Sequence, residues 1–137
     1  MNEQEWDHKD EWRIRGRDFM VVVSRHTVNP VDYWEGPNRW AVYAYIYPKH
    51  PHFANFEGPQ MFQDAAACMP LHAGPSYLRW HRDEDGNPCS VQVGADYHHL
   101  HDDFTHIATK QDAYRIFNDA KDLFDWLQGR AQQEQKA

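Results

Sequence analysis

SYLRWHRDEDGNPCSVQVGADY, residues 76–97, decides the fold. Asp85-Gly86-Asn87 is turn chemistry set between two alternating runs, so the segment reads as a β-hairpin. Side chains alternate across a strand, and Leu78 and Trp80 then face the same way as Val91 and Val93. A hairpin of this kind belongs to an antiparallel sheet, and the rest of the chain supplies its partners.

Upstream, WRIRGRDFMVVVSR (12–25) reads as a second hairpin. A short strand meets a tight turn at Gly16 and Arg17, where glycine suits a positive φ, and a β-branched strand follows from Phe19 to Ser24. After the loop HTVNPVDYWEGPN, the run RWAVYAYIY (39–47) alternates throughout. Trp40, Val42, Ala44 and Ile46 fall on one face, and Tyr43, Tyr45 and Tyr47 on the other. Pro48 and Pro51 end the strand. In GPQMFQDAAACM (58–69), Pro59 suits a helix start, and Met61, Phe62, Ala65 and Met69 share one side. Thr109 is a natural helix N-cap with Asp112 three residues on, and Gly129 a natural stop. Between them Ala113, Ile116, Phe117, Ala120, Leu123, Phe124 and Leu127 form one apolar arc, which is a core-facing stripe.

The predicted order is three strands, a short helix, two strands and a long helix. The fold class is therefore α+β: an antiparallel sheet of about five strands, the long C-terminal helix on one face and the short helix between strands three and four. One domain is expected over 12–129, with a polar extension at 1–11 and a frayed tail, RAQQEQKA, at 130–137. If the short helix leaves Tyr43, Tyr45 and Tyr47 uncovered, they make an aromatic floor; if it covers them, they make a second small core.

Composition sets limits on function. The 137 residues are 41% apolar and 26% charged, as in soluble globular proteins, and twenty of them are Trp, Tyr or Phe. A net charge of −7 argues against gripping nucleic-acid phosphates over a wide face, so no extended nucleic-acid binding is expected. Charge is uneven. Arg13, Arg15, Arg17 and Arg25 gather early, whereas residues 96–125 hold seven aspartates against Lys110, Arg115 and Lys121. No apolar run approaches the roughly 20 residues of a membrane helix, and the start MNEQEWDHKDEW has no signal-like pattern, so a cytoplasmic, unprocessed protein is expected. Cys68 and Cys89 stand apart, which excludes a C-x-x-C redox pair and a cysteine zinc site.

The segments GPNRWAVYAYIYPKHPHF (36–53), MPLHAGPSYLR (69–79) and VQVGADYHHLHDD (91–103) resemble a recurring type of small uncharacterised protein encoded by tailed bacteriophages. The likeness runs from about residue 12 to 128 and carries no catalytic motif. It implies a context only: synthesis in the bacterial cytoplasm during infection, among accessory proteins that interfere with host or anti-phage defence factors.

Three chemistries are open to these residues. ADYHHLHDDFTH (95–106) concentrates four histidines and three aspartates. On a strand His99, His101 and Asp103 share a face, a donor set that suits zinc or iron, and His50 and His52 form a second pair of the same spacing. Nothing matches a specific pattern such as H-E-x-x-H. A histidine acid–base pair drawn from His72, His81 and the cluster, with Arg79 or Arg82 holding an anion, would make a hydrolase or phosphoesterase, but the paired H-x-[ST] motifs of two-histidine phosphoesterases are absent. The third is a ligand site. Tyr43, Tyr45 and Tyr47 would supply stacking, Arg15 and Arg79 cationic forks, and His72 and His81 adaptable donors. The leading expectation is thus a non-enzymatic binding protein that occupies a host or defence molecule, either a protein surface or a nucleotide-like small ligand. A metal- or histidine-dependent hydrolase is the alternative. Exposed strands and aromatics are also compatible with a homodimer.

Overall fold

Five strands pair in the order β1-β2-β3-β5-β4, and every pairing is antiparallel. They are β1 (Asp10–Gly16), β2 (Phe19–Thr27), β3 (Asn38–Ile46), β4 (Tyr77–Arg82) and β5 (Pro88–Asp96). A 3-10 helix (Pro51–Phe56) and α1 (Phe62–Ala67) lie between β3 and β4, and α2 (Tyr114–Lys136) closes the chain. The computed structural model describes residues 10–29, 34–56, 62–98 and 103–136. The α+β class, the antiparallel sheet and both helices are as the sequence predicts.

Periodicity explains the core. From the strands come Phe19, Val21 and Val23, then Trp40, Val42, Ala44 and Ile46, then Val91 and Val93. They meet Ala113, just before α2, and Ile116, Ala120, Leu123 and Leu127 of α2, all fully buried. Each buried Val, Ile or Leu among them contributes about 1.5–3 kcal/mol by leaving water. Trp12 of β1 stacks on Trp40 with centroids 5.7 Å apart, and the Trp40 indole donates to the Ile107 carbonyl at 2.9 Å. At the other end of the sheet the 3-10 helix packs Phe53 edge-on against Trp80 of β4. The predicted hairpin register holds, since Leu78 pairs with Val93 and Trp80 with Val91.

Two local expectations are corrected. Asp18, not Gly16, takes the positive φ of the first turn, at 61°. Gly16 is required for a different reason: a Cβ there would stand 2.1 Å from the Phe19 ring, which lies across it. Gly129 does not stop the last helix, which runs on to Lys136. Leu127 and Ala131, four residues apart, are both buried and carry the apolar stripe past the glycine, so packing overrides the local signal. The expected frayed tail therefore begins as helix. At its start the Thr109 hydroxyl does accept the Asp112 N–H at 3.2 Å.

After β5 the chain is strapped back onto the start of β3. The Thr105 hydroxyl accepts the Gly36 N–H, and its carbonyl accepts the Asn38 N–H at 2.9 Å. Gly36 is needed because a Cβ would meet the Thr105 carbonyl oxygen at 2.2 Å. Among the described residues no helix is long and apolar enough to cross a membrane.

Candidate functional site: the open face of the sheet

Strand alternation sends the residues between the core positions to the opposite face, where no helix packs among the described residues. Register aligns them in rows. One row runs Arg13, Val22, Tyr43, Gly94, Tyr77, and the next runs Arg15, Met20, Tyr45, Gln92, Arg79. Tyr43 and Tyr45 are half-buried and Tyr77 is exposed. Among the described residues no second layer covers the tyrosine floor.

The rings are held by their neighbours. Tyr43 and Tyr77 meet edge to face at 5.3 Å, and Tyr45 stacks with His81 at 5.8 Å. Tyr43 lies over Gly94, where a Cβ would come within 2.4 Å of its ring. The bare strand backbone at that position lets the ring lie flat. His81 Nε2 donates to Gln92 Oε1 at 2.8 Å, which fixes the amide and leaves its two N–H donors for another partner. Between the rings and β1 lies a concavity of about 210 Å³, with Glu11, Ser24 and His26 at one side and Tyr43, Tyr45 and Gln92 at the other. Burial, followed by the neighbouring Tyr77, raises the Tyr43 pKa. Burial, followed by the Glu11 carboxylate, does the same for Tyr45. Both phenols stay protonated near neutrality and act as donors as well as stacking surfaces.

The face is polarised. Glu11 and Asp96 lie at one end, and Arg13 is tied to Glu11 at 2.6 Å. Arg15 and Arg79, at the two margins of the Tyr45 row, have no ion-pair partner among the described residues. They are the cations left available to a ligand on this face.

The ligand-binding residues read from sequence separate into two groups. Tyr43, Tyr45, Arg15, Arg79 and His81 come together. Tyr47 lies past the end of β3, where its N–H donates to the Asp18 carbonyl at 3.0 Å, close enough to Tyr45 to influence its titration. His72 does not join them. It stacks on Tyr97 at 4.4 Å and meets Phe104, both core residues of the helix-covered face. Sequence reasoning missed Tyr77, Gln92 and Gly94. The hairpin register held that signal, because placing Leu78 and Trp80 inward places Tyr77, Arg79 and His81 outward opposite Gly94, Gln92 and Ser90.

Of the metal set, His99 and His101 lie outside the described residues, and Asp103 is exposed. Among the described residues no group of three or more His, Cys, Asp or Glu could hold a metal ion. His50 and His52 are corrected as extra ligands, because both rings are buried and fully engaged. His50 donates from Nε2 to the Leu127 carbonyl at 2.9 Å and accepts the His52 N–H at Nδ1. His52 donates from Nε2 to the Ala65 carbonyl at 3.0 Å and accepts from the Asn55 amide. Burial lowers the pKa of both, so they are neutral core groups that tie the 3-10 helix to α2 and α1.

Neither a protein-family model, nor a curated protein, nor a solved structure matches this chain.

Proposed function

We propose that this chain is a non-enzymatic capture protein whose open sheet face holds a nucleotide-like ligand by occupancy. The observation that carries this reading is the co-location of half-buried Tyr43 and Tyr45 and exposed Tyr77 with Arg15 and Arg79, which have no ion-pair partner among the described residues, on one face of an otherwise acidic protein. Aromatic rings accept a base by stacking, and guanidinium groups accept phosphate as planar forks. The bacteriophage resemblance adds a setting: the ligand belongs to the cytoplasm of an infected bacterium, as a host or defence metabolite, and capture withholds it. The hydrolase alternative loses His50 and His52 as donors, and among the described residues His81 hydrogen-bonds to Gln92 and stacks on Tyr45, with no hydrogen bond to a second histidine.

Titration of the purified protein with adenine and guanine nucleotides, followed by calorimetry, tests the proposal. Binding that is lost in Tyr45→Leu, with the nucleotide recovered chemically unchanged after prolonged incubation, is the expected result. Product formation would return the hydrolase reading to the front. Capture of a partner protein is a second reading, motivated by Trp34 at 81% and Tyr114 at 61% exposure, since exposed aromatics anchor interfaces. Loss of a co-purifying protein in Trp34→Ala, with no effect of Tyr45→Leu, would favour it.

A further inference from the structure

Resting on the nucleotide reading of this face, we infer that its ligand is a short single strand of nucleic acid laid across the strands, not a lone nucleotide. The argument is one of span. Arg15 and Arg79 occupy β1 and β4, the two edges of the same row. With neighbouring strands about 4.8 Å apart, four spacings put their backbones ~19 Å from one another. Side chains stand roughly perpendicular to a sheet, so the two guanidinium groups rise at opposite margins, on either side of Tyr45 and Gln92. A lone nucleotide carries all its phosphates at one end of its base, whereas a phosphodiester chain can stack a base on the row and offer a phosphate to each margin.

The floor between them agrees. The concavity of about 210 Å³ is smaller than the roughly 300–1,000 Å³ clefts that enclose a whole small ligand. It accepts one ring and leaves the rest of a ligand on the open surface. Two aromatic pairs lie next to each other, Tyr43 with Tyr77 along one row and Tyr45 with His81 on a diagonal beyond it. Where an open sheet is known to recognise single-stranded RNA, its exposed rings stack about two or three bases. A duplex is excluded, because its bases are already stacked on one another and cannot reach the tyrosines. The net charge of −7 fits a narrow grip: two arginines on one row neutralise a few phosphates at most, which makes for modest, salt-sensitive binding.

Fluorescence anisotropy with a short labelled oligonucleotide, in single-stranded and duplex form, against AMP as competitor tests the inference. The single strand is expected to bind at least tenfold more tightly than AMP or duplex. For two contacts on a single strand, the slope of log K against log salt should be about −1.4, falling by about half in Arg15→Gln and again in Arg79→Gln. Tyr45→Leu should weaken binding by about five- to a hundredfold. The arginine variants alter exposed side chains and serve as the readout if Tyr45→Leu is poorly folded. Equal affinity for AMP and the strand, equal affinity for duplex, or a salt slope untouched by either arginine overturns the inference and leaves the nucleotide reading standing. Wild-type protein that binds neither AMP nor the strand overturns both.

Discussion

The two faces of this sheet are both buried at their floor, by different means. The inner face is covered by another layer: α2 crosses β1 to β3, and the 3-10 helix reaches Trp80 of β4. The outer face has no second layer among the described residues, yet Val22, Ala41, Ser24 and Gln92 are each under a tenth exposed. Tyr43 spreads over Gly94 in the plane of the sheet and packs edge to face on Tyr77. A layer contact holds the fold together and closes the surface to ligands. In-plane shielding leaves wide aromatic rings facing outward, so the same side chains that protect the floor are available for stacking.

The largest test of this contrast lies inside. Ile116 is fully buried in the first turn of α2. Ile116→Ala should cost about 2–5 kcal/mol in urea unfolding, from lost transfer energy plus a cavity. A cost below about 1 kcal/mol would mean that the covered face is loosely packed and that the contrast is misplaced.

Gly94→Ala probes the outer face and should come next. The new Cβ would meet the Tyr43 ring at 2.4 Å and the Val42 carbonyl oxygen at 2.5 Å. The ring can swing away, but the backbone oxygen cannot, so a loss of about 1–3 kcal/mol is expected. The displaced Tyr43 should also weaken ligand binding beyond what the loss of stability explains. A neutral Gly94→Ala variant would show that Tyr43 does not lie over bare backbone.

A third comparison uses pH. Burial depresses the pKa of His50 and His52 below the ordinary 6.5 on the inner face. Unfolded chains then bind protons that the folded state refuses. Stability from these two groups is present above about pH 6.5 and is lost as pH falls through that value toward the folded pKa. Urea midpoints measured between pH 8 and pH 5 should fall, and fall less in His52→Gln, whose amide can still donate to the Ala65 carbonyl. An identical pH dependence in the variant would mean that His52 titrates like a solvated ring.

These effects map onto what could be read from the chain. The α2 stripe and the alternation of β3 were legible because each is a single periodicity within one segment, and the hairpin registers followed from turn chemistry. Insertion of β5 beside β3 was not legible, since it depends on which hydrophobic strand best fills a gap created by distant residues. It is this pairing that sets Gln92 and Gly94 under the tyrosines. Glycine misled twice. At Gly16 the need is space for the Phe19 ring rather than a positive φ, and at Gly129 the burial of Ala131 outweighs a stop signal. The His50 and His52 spacing suggested ligands, because spacing carries no record of which carbonyls a ring will meet.

Gly129 itself offers a smaller effect of opposite sign. A Cβ there meets nothing within 4 Å, and the backbone is helical. Gly129→Ala should stabilise by about 0.5–1 kcal/mol, raising the melting temperature by about 2–4 °C. Destabilisation would indicate that the glycine serves a bend in α2.

The smallest expected change distinguishes the faces most directly. Arg15 and Arg79 are exposed, at opposite edges of the sheet, and without ion-pair partners among the described residues. An unpaired surface charge has no folding role to lose, so Arg15→Gln and Arg79→Gln should each alter stability by less than about 0.5 kcal/mol. On the inner face no polar substitution could be so silent. If either variant loses more than about 1 kcal/mol, that arginine is held by the fold, and it is not available to a phosphate. If both are silent in unfolding, any change they cause in ligand binding or in its salt dependence belongs to the outer face alone.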